Sequence, residues 1–196
     1  TAAPVLGTSN PGAASSTVGG VGRNIAENLA RLGRPTVLVA PVGDDPAGEA
    51  VADRTSAAGV ECGHLVRSTH PTGTYVAVLG DGGELHIAAA DMRATDELTV
   101  GDLAVVPSLL AGADAMVVDA NLAAPVVRWL LNAAAAAGVI SVLGPVSVAK
   151  ASAVAPVLDG AVVVHTVTPN VDELAALVGA PVENTVDAVC AAAVLL

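Results

Sequence analysis

Phenylalanine is absent from this sequence of 196 residues, and a single Trp and a single Tyr bring the aromatic share to only 1%. The 53% hydrophobic share is mostly Ala, Val and Leu, so the core has to be built from small side chains. That suits close packing of helices on a sheet better than an aromatic-rich β-sandwich. Basic residues are also scarce: eight Lys+Arg face 19 Asp+Glu for a net charge of -11, and Lys150 is the sole lysine. No basic stripe exists to neutralise a run of phosphates, so nucleic acid is not an expected partner. Cys62 and Cys190 lie far apart without a CxxC spacing, which excludes a disulfide scaffold and leaves the two free thiols expected of a reduced cytoplasmic protein.

Uninterrupted apolar runs of membrane-spanning length are missing too. The longest charge-free candidate, Trp129 to Ala149, is broken by Asn132, Gly138, Ser141, Gly144, Pro145 and Ser147, and reads as a helix, a stop and a strand. Thr1 to Gly22 carries no charge but has neither a basic start nor a continuous apolar core, so no secretory signal is expected. A cytoplasmic protein of one compact domain, or most of one, is the expectation.

What is present is an alternation of strands and amphipathic helices. Ile25, Leu29 and Leu32 recur at helical spacing before Gly33, predicting a helix over Arg23–Leu32 with those side chains inward. A strand over Thr36–Val42 follows; Asp45-Pro46 then has the form of an N-cap and first helical residue, opening a helix that runs to Gly59. After a strand at Val60–Val66, the segments Gly73–Leu79 and Glu84–Ala90 flank Gly80-Asp81-Gly82-Gly83, a strong hairpin signal. The rhythm resumes with a helix at Asp102–Leu110, a strand at Ala115–Asp119, a helix at Pro125–Ala137 and a strand at Val139–Leu143. A helix at Val148–Val157, a strand at Ala161–Val167 and helices at Val171–Val178 and Thr185–Leu196 complete it. Strands separated by such helices imply a mainly parallel sheet covered on both faces, with the hairpin as an appendage. The final Ala-Ala-Ala-Val-Leu-Leu has no polar stop, and the start is equally abrupt, so the chain reads as cut short.

Three segments carry chemistry, each with a structural reading beside the functional one. Gly19-Gly20-Val21-Gly22-Arg23-Asn24 stands at the mouth of a helix, where the backbone can approach an oxygen-rich ligand and N–H groups are unpaired; a flexible turn is the alternative. It is not a P-loop, since no Gly-Lys-Ser/Thr occurs, and Ile25 replaces the third glycine of a dinucleotide fingerprint. Thr168-Pro169-Asn170 leads into a helix with Glu173 three residues after Asn170, which is either a capping box or an amide and carboxylate beside a hydrated Mg2+ and phosphates. Asp119-Ala120-Asn121, at the end of another strand, is open to the same two readings.

Together these segments resemble the ribokinase-like (PfkB) carbohydrate and nucleoside kinases. The stretch from Gly19 to Gly33 is similar to the family's N-terminal signature, and Thr168-Pro169-Asn170 with Glu173 and Leu174 to its Thr-Pro-Asn-x-x-Glu-Leu motif. Within the family the likeness is to the pseudouridine-phosphorylating branch. It is carried by Ser9-Asn10-Pro11-Gly12, Arg23, the segment from Thr74-Tyr75 to Ala90-Asp91-Met92, Asp119-Ala120-Asn121, and Pro145-Val146-Ser147 with Lys150.

The resemblance implies a three-layer α/β/α sandwich with a mainly parallel sheet and a small β lid, the lid strands lying at about 60–92 of one partial kinase domain over 1–196. It implies transfer of the ATP γ-phosphoryl group to the 5′-hydroxyl of a ribosyl substrate such as pseudouridine. Other sugar kinases of the ribokinase or adenosine kinase type are the alternative. Asn10, Gly19, Gly20, Asn24, Asp91 and Asn121 are implied on the substrate, and Asn170 and Glu173 on ATP and Mg2+, with Glu173 the metal residue. The catalytic base is expected beyond Leu196, and Gly144 stands where relatives usually carry Asp. A homodimer through the lid is a further expectation, because Tyr75, Ala77 and Leu79 alternate with Thr74, Val76 and Val78 and both faces need cover. Two other classes compete: a Rossmann-like oxidoreductase using Asp44 or Asp45 on a ribose, and a non-catalytic partner whose hairpin only dimerises.

Overall fold

The computed structural model describes residues 7–195. Helix α1 (Val21–Arg31) starts after Gly20, whose φ of 105 only glycine adopts readily, and ends at Leu32 before Gly33 at φ 77. It therefore begins two residues earlier than its apolar spacing suggests. Its buried residue is Ala26, which packs with Ala30 against Leu38 and Val60, whereas Leu32 lies past the last turn and is 78% exposed. Small alanines let α1 approach the strand segments closely, so they take the inward role expected of the larger side chains.

The segments expected as strands over 36–42 and 60–66 do run side by side in parallel, but their ladder is interrupted. Val37 bridges Glu61, and pairing resumes only between β1 (Pro41–Gly43) and β2 (Val66–Ser68). The second segment makes a turn at Cys62, whose carbonyl accepts Leu65 N–H, and this extra residue shifts the register. It pairs with β1 rather than with the lid. Helix α2 (Pro46–Ala57) opens as expected, with Asp45 accepting Gly48 N–H at 2.8 Å, and stops short of Gly59.

The lid is the antiparallel pair β3 (Thr74–Leu79) and β4 (Leu85–Asp91), in register from Thr74↔Asp91 to Leu79↔Leu85. Every side chain on it except Asp91 is exposed. A short helix α3 (Arg93–Asp96), not foreseen, follows at once. The helix expected at 102–110 is split into a 3-10 turn at Gly101–Leu103 and α4 (Val106–Leu110), because Pro107 lacks the N–H needed to continue from the preceding turn.

The main layer is the parallel sheet β5-β6-β7, with β5 at Ala115–Asp119, β6 at Ile140–Gly144 and β7 at Thr166–Val167. Helix α5 (Ala124–Ala137) packs Val127, Leu131 and Ala134 onto it with no exposure, and Gly138 in the left-handed region ends the helix. Helices α6 (Val148–Val154), α7 (Val171–Val178) and α8 (Thr185–Leu195) complete a three-layer α/β/α arrangement. The tail of the 148–157 helix is a 3-10 turn, and residue 196 lies outside the described residues.

Strand β7 is far shorter than the expected 161–167. Ser141 N–H donates to the His165 Nδ1 at 3.1 Å instead of to a strand carbonyl, while His165 N–H donates back to the Ser141 carbonyl at 3.1 Å. The imidazole occupies a ladder position and ends the pairing there.

One polar knot fixes the root of the lid. Asp45 accepts from Thr72 N–H at 2.8 Å and from the Thr72 hydroxyl at 2.7 Å, and that hydroxyl accepts buried Gly43 N–H at 2.9 Å. A Cβ on Gly43 would meet the Asp45 carboxylate and Thr72 N at 2.6 Å, so this approach requires glycine. The Thr72 hydroxyl and amide hold the Asp45 carboxyl below the ordinary carboxylate range. Thr72→Val orphans the Gly43 N–H, and its expected cost at pH 7 is about 1–3 kcal/mol in urea unfolding. A lowered Asp45 pKa adds stability above the unfolded value of about 3.9 and loses it as pH falls below that. The gap between wild type and Thr72→Val should therefore narrow from pH 7 to pH 3; a constant gap would place the effect elsewhere.

Candidate functional site

The register Asp119↔Gly144 and Leu143↔Val167 brings the carboxyl ends of the three parallel strands together, the place where open α/β sheets collect ligands. Three loops leave from there: 119–123 after β5, 144–147 after β6 and 168–170 after β7. Asp119 joins a fourth segment to them. Its Oδ2 accepts Gly22 N–H at 2.9 Å, across 97 residues, and its Oδ1 accepts Asn121 N–H at 2.9 Å. Gly20, at the N-cap position of α1, has no side chain to cap the helix, and Asp119 does so from the sheet. Gly22 must stay small, since a Cβ there would lie 3.0 Å from Oδ2. The capping reading of Asp119 is realised, each of its oxygens accepting one backbone N–H.

Gly19 and Gly20 are exposed at this helix mouth, and Asn24 is exposed one turn on. The Asn24 Oδ1 accepts from Arg23 Nη1 at 3.1 Å, leaving Nδ2 as the available donor. Asn10 lies in the coil before α1, where its Nδ2 donates to the Thr8 carbonyl at 3.3 Å. Asn121 is half-buried, and its carbonyl accepts from Lys150 Nζ at 3.3 Å. Lys150 also stands 3.7 Å from Asp96 of α3, so the lysine ties the β5 loop to the helix that follows the lid. Asp96, Asn121 and Lys150 share a cavity of about 130 Å³ with Ala120, Leu122 and Val154.

Pro145-Val146-Ser147 forms a tight turn in which Ser147 N–H donates to the Pro145 carbonyl at 2.8 Å and Val146 has φ 71. A β-branched residue in the left-handed region costs on the order of 1–3 kcal/mol, and such strain is characteristic of functional loops. Ser147 then caps α6.

Asp91 sits where β4 leaves the lid and is gripped by the Arg93 guanidinium at 2.9 and 2.6 Å. Hydrogen bonding to Arg93 lowers its pKa to about 2, so it stays ionised. A ligand that reaches this carboxylate has to share it with Arg93. On the far loop, Glu173 N–H donates to Asn170 Oδ1 at 2.9 Å and Asn170 N–H to Glu173 Oε2 at 3.0 Å, a complete capping box. Glu173 is 7% exposed, and its Oε1 has no hydrogen-bond partner among the described residues. That oxygen fits a water-mediated contact to a cation. No group of three His, Cys, Asp or Glu gathers among the described residues, so they offer an outer contact and not a coordination cage.

Three features went unread in the sequence. The Asp45–Thr72 knot joins residues 27 apart and had no local signal. Lys150 stands out in the sequence as the sole lysine and as part of a family likeness, with no signal for its reach to Asp96 and the Asn121 carbonyl. Arg23, Glu27 and Arg31 carried a legible i, i+4 spacing, and the structure pairs both arginines with Glu27. Of Asp44 and Asp45, either of which an oxidoreductase could use on a ribose, Asp45 is engaged by Gly48 and Thr72 while Asp44 is exposed.

Asp119→Ala should lower stability by about 1–2 kcal/mol in thermal unfolding, because two N–H acceptors vanish together, and Asp119→Asn, keeping one carbonyl, should fall between. An unchanged Asp119→Ala would mean that α1 is held by other means.

Comparison with known proteins gives a consistent result. The pfkB family carbohydrate kinase pattern matches residues 5–195. The pseudouridine kinase of Escherichia coli (strain K12) is 35% identical over 165 residues, covering 83% of this chain and 50% of that protein. The uncharacterized sugar kinase YeiI of the same organism is 34% identical over 180 residues, covering 91% and 48%. The solved structure of a carbohydrate kinase from Agrobacterium tumefaciens superimposes with a TM-score of 0.79 at 32% identity, covering 90% of this chain and 57% of that one. The chain spans about half the length of the curated relatives it matches.

Proposed function

Because the chain belongs to the pfkB family of carbohydrate kinases, we propose that the protein containing it transfers the γ-phosphoryl group of ATP to the 5′-hydroxyl of pseudouridine. The observation that carries this reading is the gathering of the α1 glycine mouth, the Asn121 loop and the Asn170 loop at one edge of the sheet, with Asp119 joining the first two. In this reading the backbone of Gly19 and Gly20 and the Nδ2 of Asn24 hold ribose hydroxyls, and Asn121 borders the sugar. Asn10 and the Asp91–Arg93 pair face the base. The lid covers the nucleoside and excludes water, so that transfer to the hydroxyl outcompetes hydrolysis.

Asn170 and Glu173 serve the nucleotide side, Glu173 through the water shell of Mg2+. Bound Mg2+ would neutralise charge developing on the phosphoryl oxygens. Asp119 caps α1 and Glu173 completes the capping box of α7, and in this reading the base that takes the hydroxyl proton is neither of them. Most of the rate then comes from positioning and electrostatics.

The reading includes a cytoplasmic location and a homodimer through the lid. A two-stranded sheet exposed on both faces is marginal alone, and Tyr75 at 59%, Leu79 at 57% and Ile87 at 62% exposure leave apolar area for a second copy to cover. No helix among the described residues is long and apolar enough to cross a membrane. A phosphotransfer to a simple sugar is the second reading, favoured by the 34% identity to a sugar kinase.

Steady-state kinetics of the full-length protein decide between the two. Pseudouridine carries a ring N–H that uridine lacks, and a site built to accept it discriminates strongly. A kcat/KM for pseudouridine at least tenfold above those for uridine and ribose is expected, with Asn24→Ala raising the nucleoside KM and sparing that for ATP. Equal values for ribose and pseudouridine would sink the assignment in favour of a general sugar kinase.

A further inference from the structure

Three of the eight basic residues in this chain of net charge -11 converge on one cleft between α1 and α2. The cleft has a volume of about 360 Å³ and is lined by Thr17, Arg23, Glu27, Arg31 and Arg54. A single carboxylate, Glu27, faces the three guanidinium groups and is shared between Arg23 and Arg31. Arg23 is largely committed: its Nε donates to Thr55 Oγ1 at 3.0 Å and its Nη1 to Asn24. Arg31 keeps 68% of its side chain exposed despite its ion pair. Arg54 makes no side-chain hydrogen bond or ion pair with any described residue. Arg31 and Arg54 both lie in the last turn of their helices, where a cation is favoured. That accounts for their residue type but not for their meeting over one cleft with Arg23.

We propose that this cleft binds a phosphate dianion, free or as a small phosphomonoester, through Arg31 and Arg54. Guanidinium forks match the geometry of phosphate oxygens, and an excess of positive groups over the lone Glu27 gives the cleft a sign opposite to that of the whole chain. The cleft is not the substrate edge described above, and the proposal does not rest on the kinase assignment. It adjoins that edge, because Thr17 precedes the glycine mouth by two residues and Arg23 grips both Glu27 and Asn24.

Titration calorimetry at constant ionic strength tests it, with inorganic phosphate and ribose 5-phosphate as separate probes. Saturable binding of at least one probe is expected, and the tighter probe identifies whether the free ion or the ester is taken. Arg54→Gln and Arg31→Gln/Arg54→Gln should weaken that binding about tenfold or more, as expected for lost charge-assisted hydrogen bonds. Arg128→Gln, an arginine outside the cleft that pairs with Asp159, should bind like wild type. Arg31 and Arg54 are exposed, and unfolding without anion checks that every variant, including that at half-buried Arg128, is folded. Absence of saturable binding by both probes, binding unchanged in the double variant, or an equal loss in Arg128→Gln would overturn the proposal.

Discussion

Asp119 accepts the N–H of Gly22 with one carboxylate oxygen and the N–H of Asn121 with the other, and the candidate site takes its shape from these two bonds. A helix that begins at glycine has no side-chain cap, so the first N–H groups of α1 and its positive dipole end need an acceptor from outside. Supplying it from the end of β5 sets the helix mouth against the sheet edge at hydrogen-bond distance. The price is sequence freedom, because Gly22 cannot carry a Cβ without crowding the carboxylate. An Asp that looked available for a cation is thereby a structural joint, and the ligand-facing groups left around it are backbone N–H groups and amides.

The lid depends on a second set of polar contacts at its root. Asp45 and Thr72 fix its entry, Asp91 and Arg93 its exit, and Lys150 binds the helix after that exit to the Asn121 carbonyl. The strands between carry exposed apolar side chains and, among the described residues, make no comparable polar anchor to the body. This division, a firm root and an uncovered blade, suits an element that moves over a ligand as a unit. Asp45 and Asp91 are both held in the ionised form by their partners, so the root is fully assembled at neutral pH and loosens in acid.

Much of this was legible in the sequence where the signal was local. Gly138 and Gly179 ended helices as read, Asp45-Pro46 opened one, the glycine-rich turn made a hairpin, and Asn170 with Glu173 formed a capping box. The resemblance to a kinase family supplied the arrangement of layers that periodicity alone left general. What failed depended on distant partners. Strand β7 was cut short by a histidine ring standing in for a carbonyl, the 36–43 and 61–68 pair was interrupted by a turn at Cys62, and Leu32 was left outside because α1 packs through alanines. The reach of Asp119 to Gly22 spans 97 residues and has no counterpart in local spacing.

The proposed function requires the α1 mouth, the β5 loop and the lid root to form one nucleoside site. Backbone amide chemical shifts of the isotopically labelled full-length protein, followed during titration with pseudouridine in the absence of nucleotide, test it directly. The account predicts that Gly20, Gly22, Asn24, Asn121 and Met92 shift together along one saturation curve, while amides of α4 and of the far end of α5 stay still. Saturable shifts confined to residues away from these segments would contradict it.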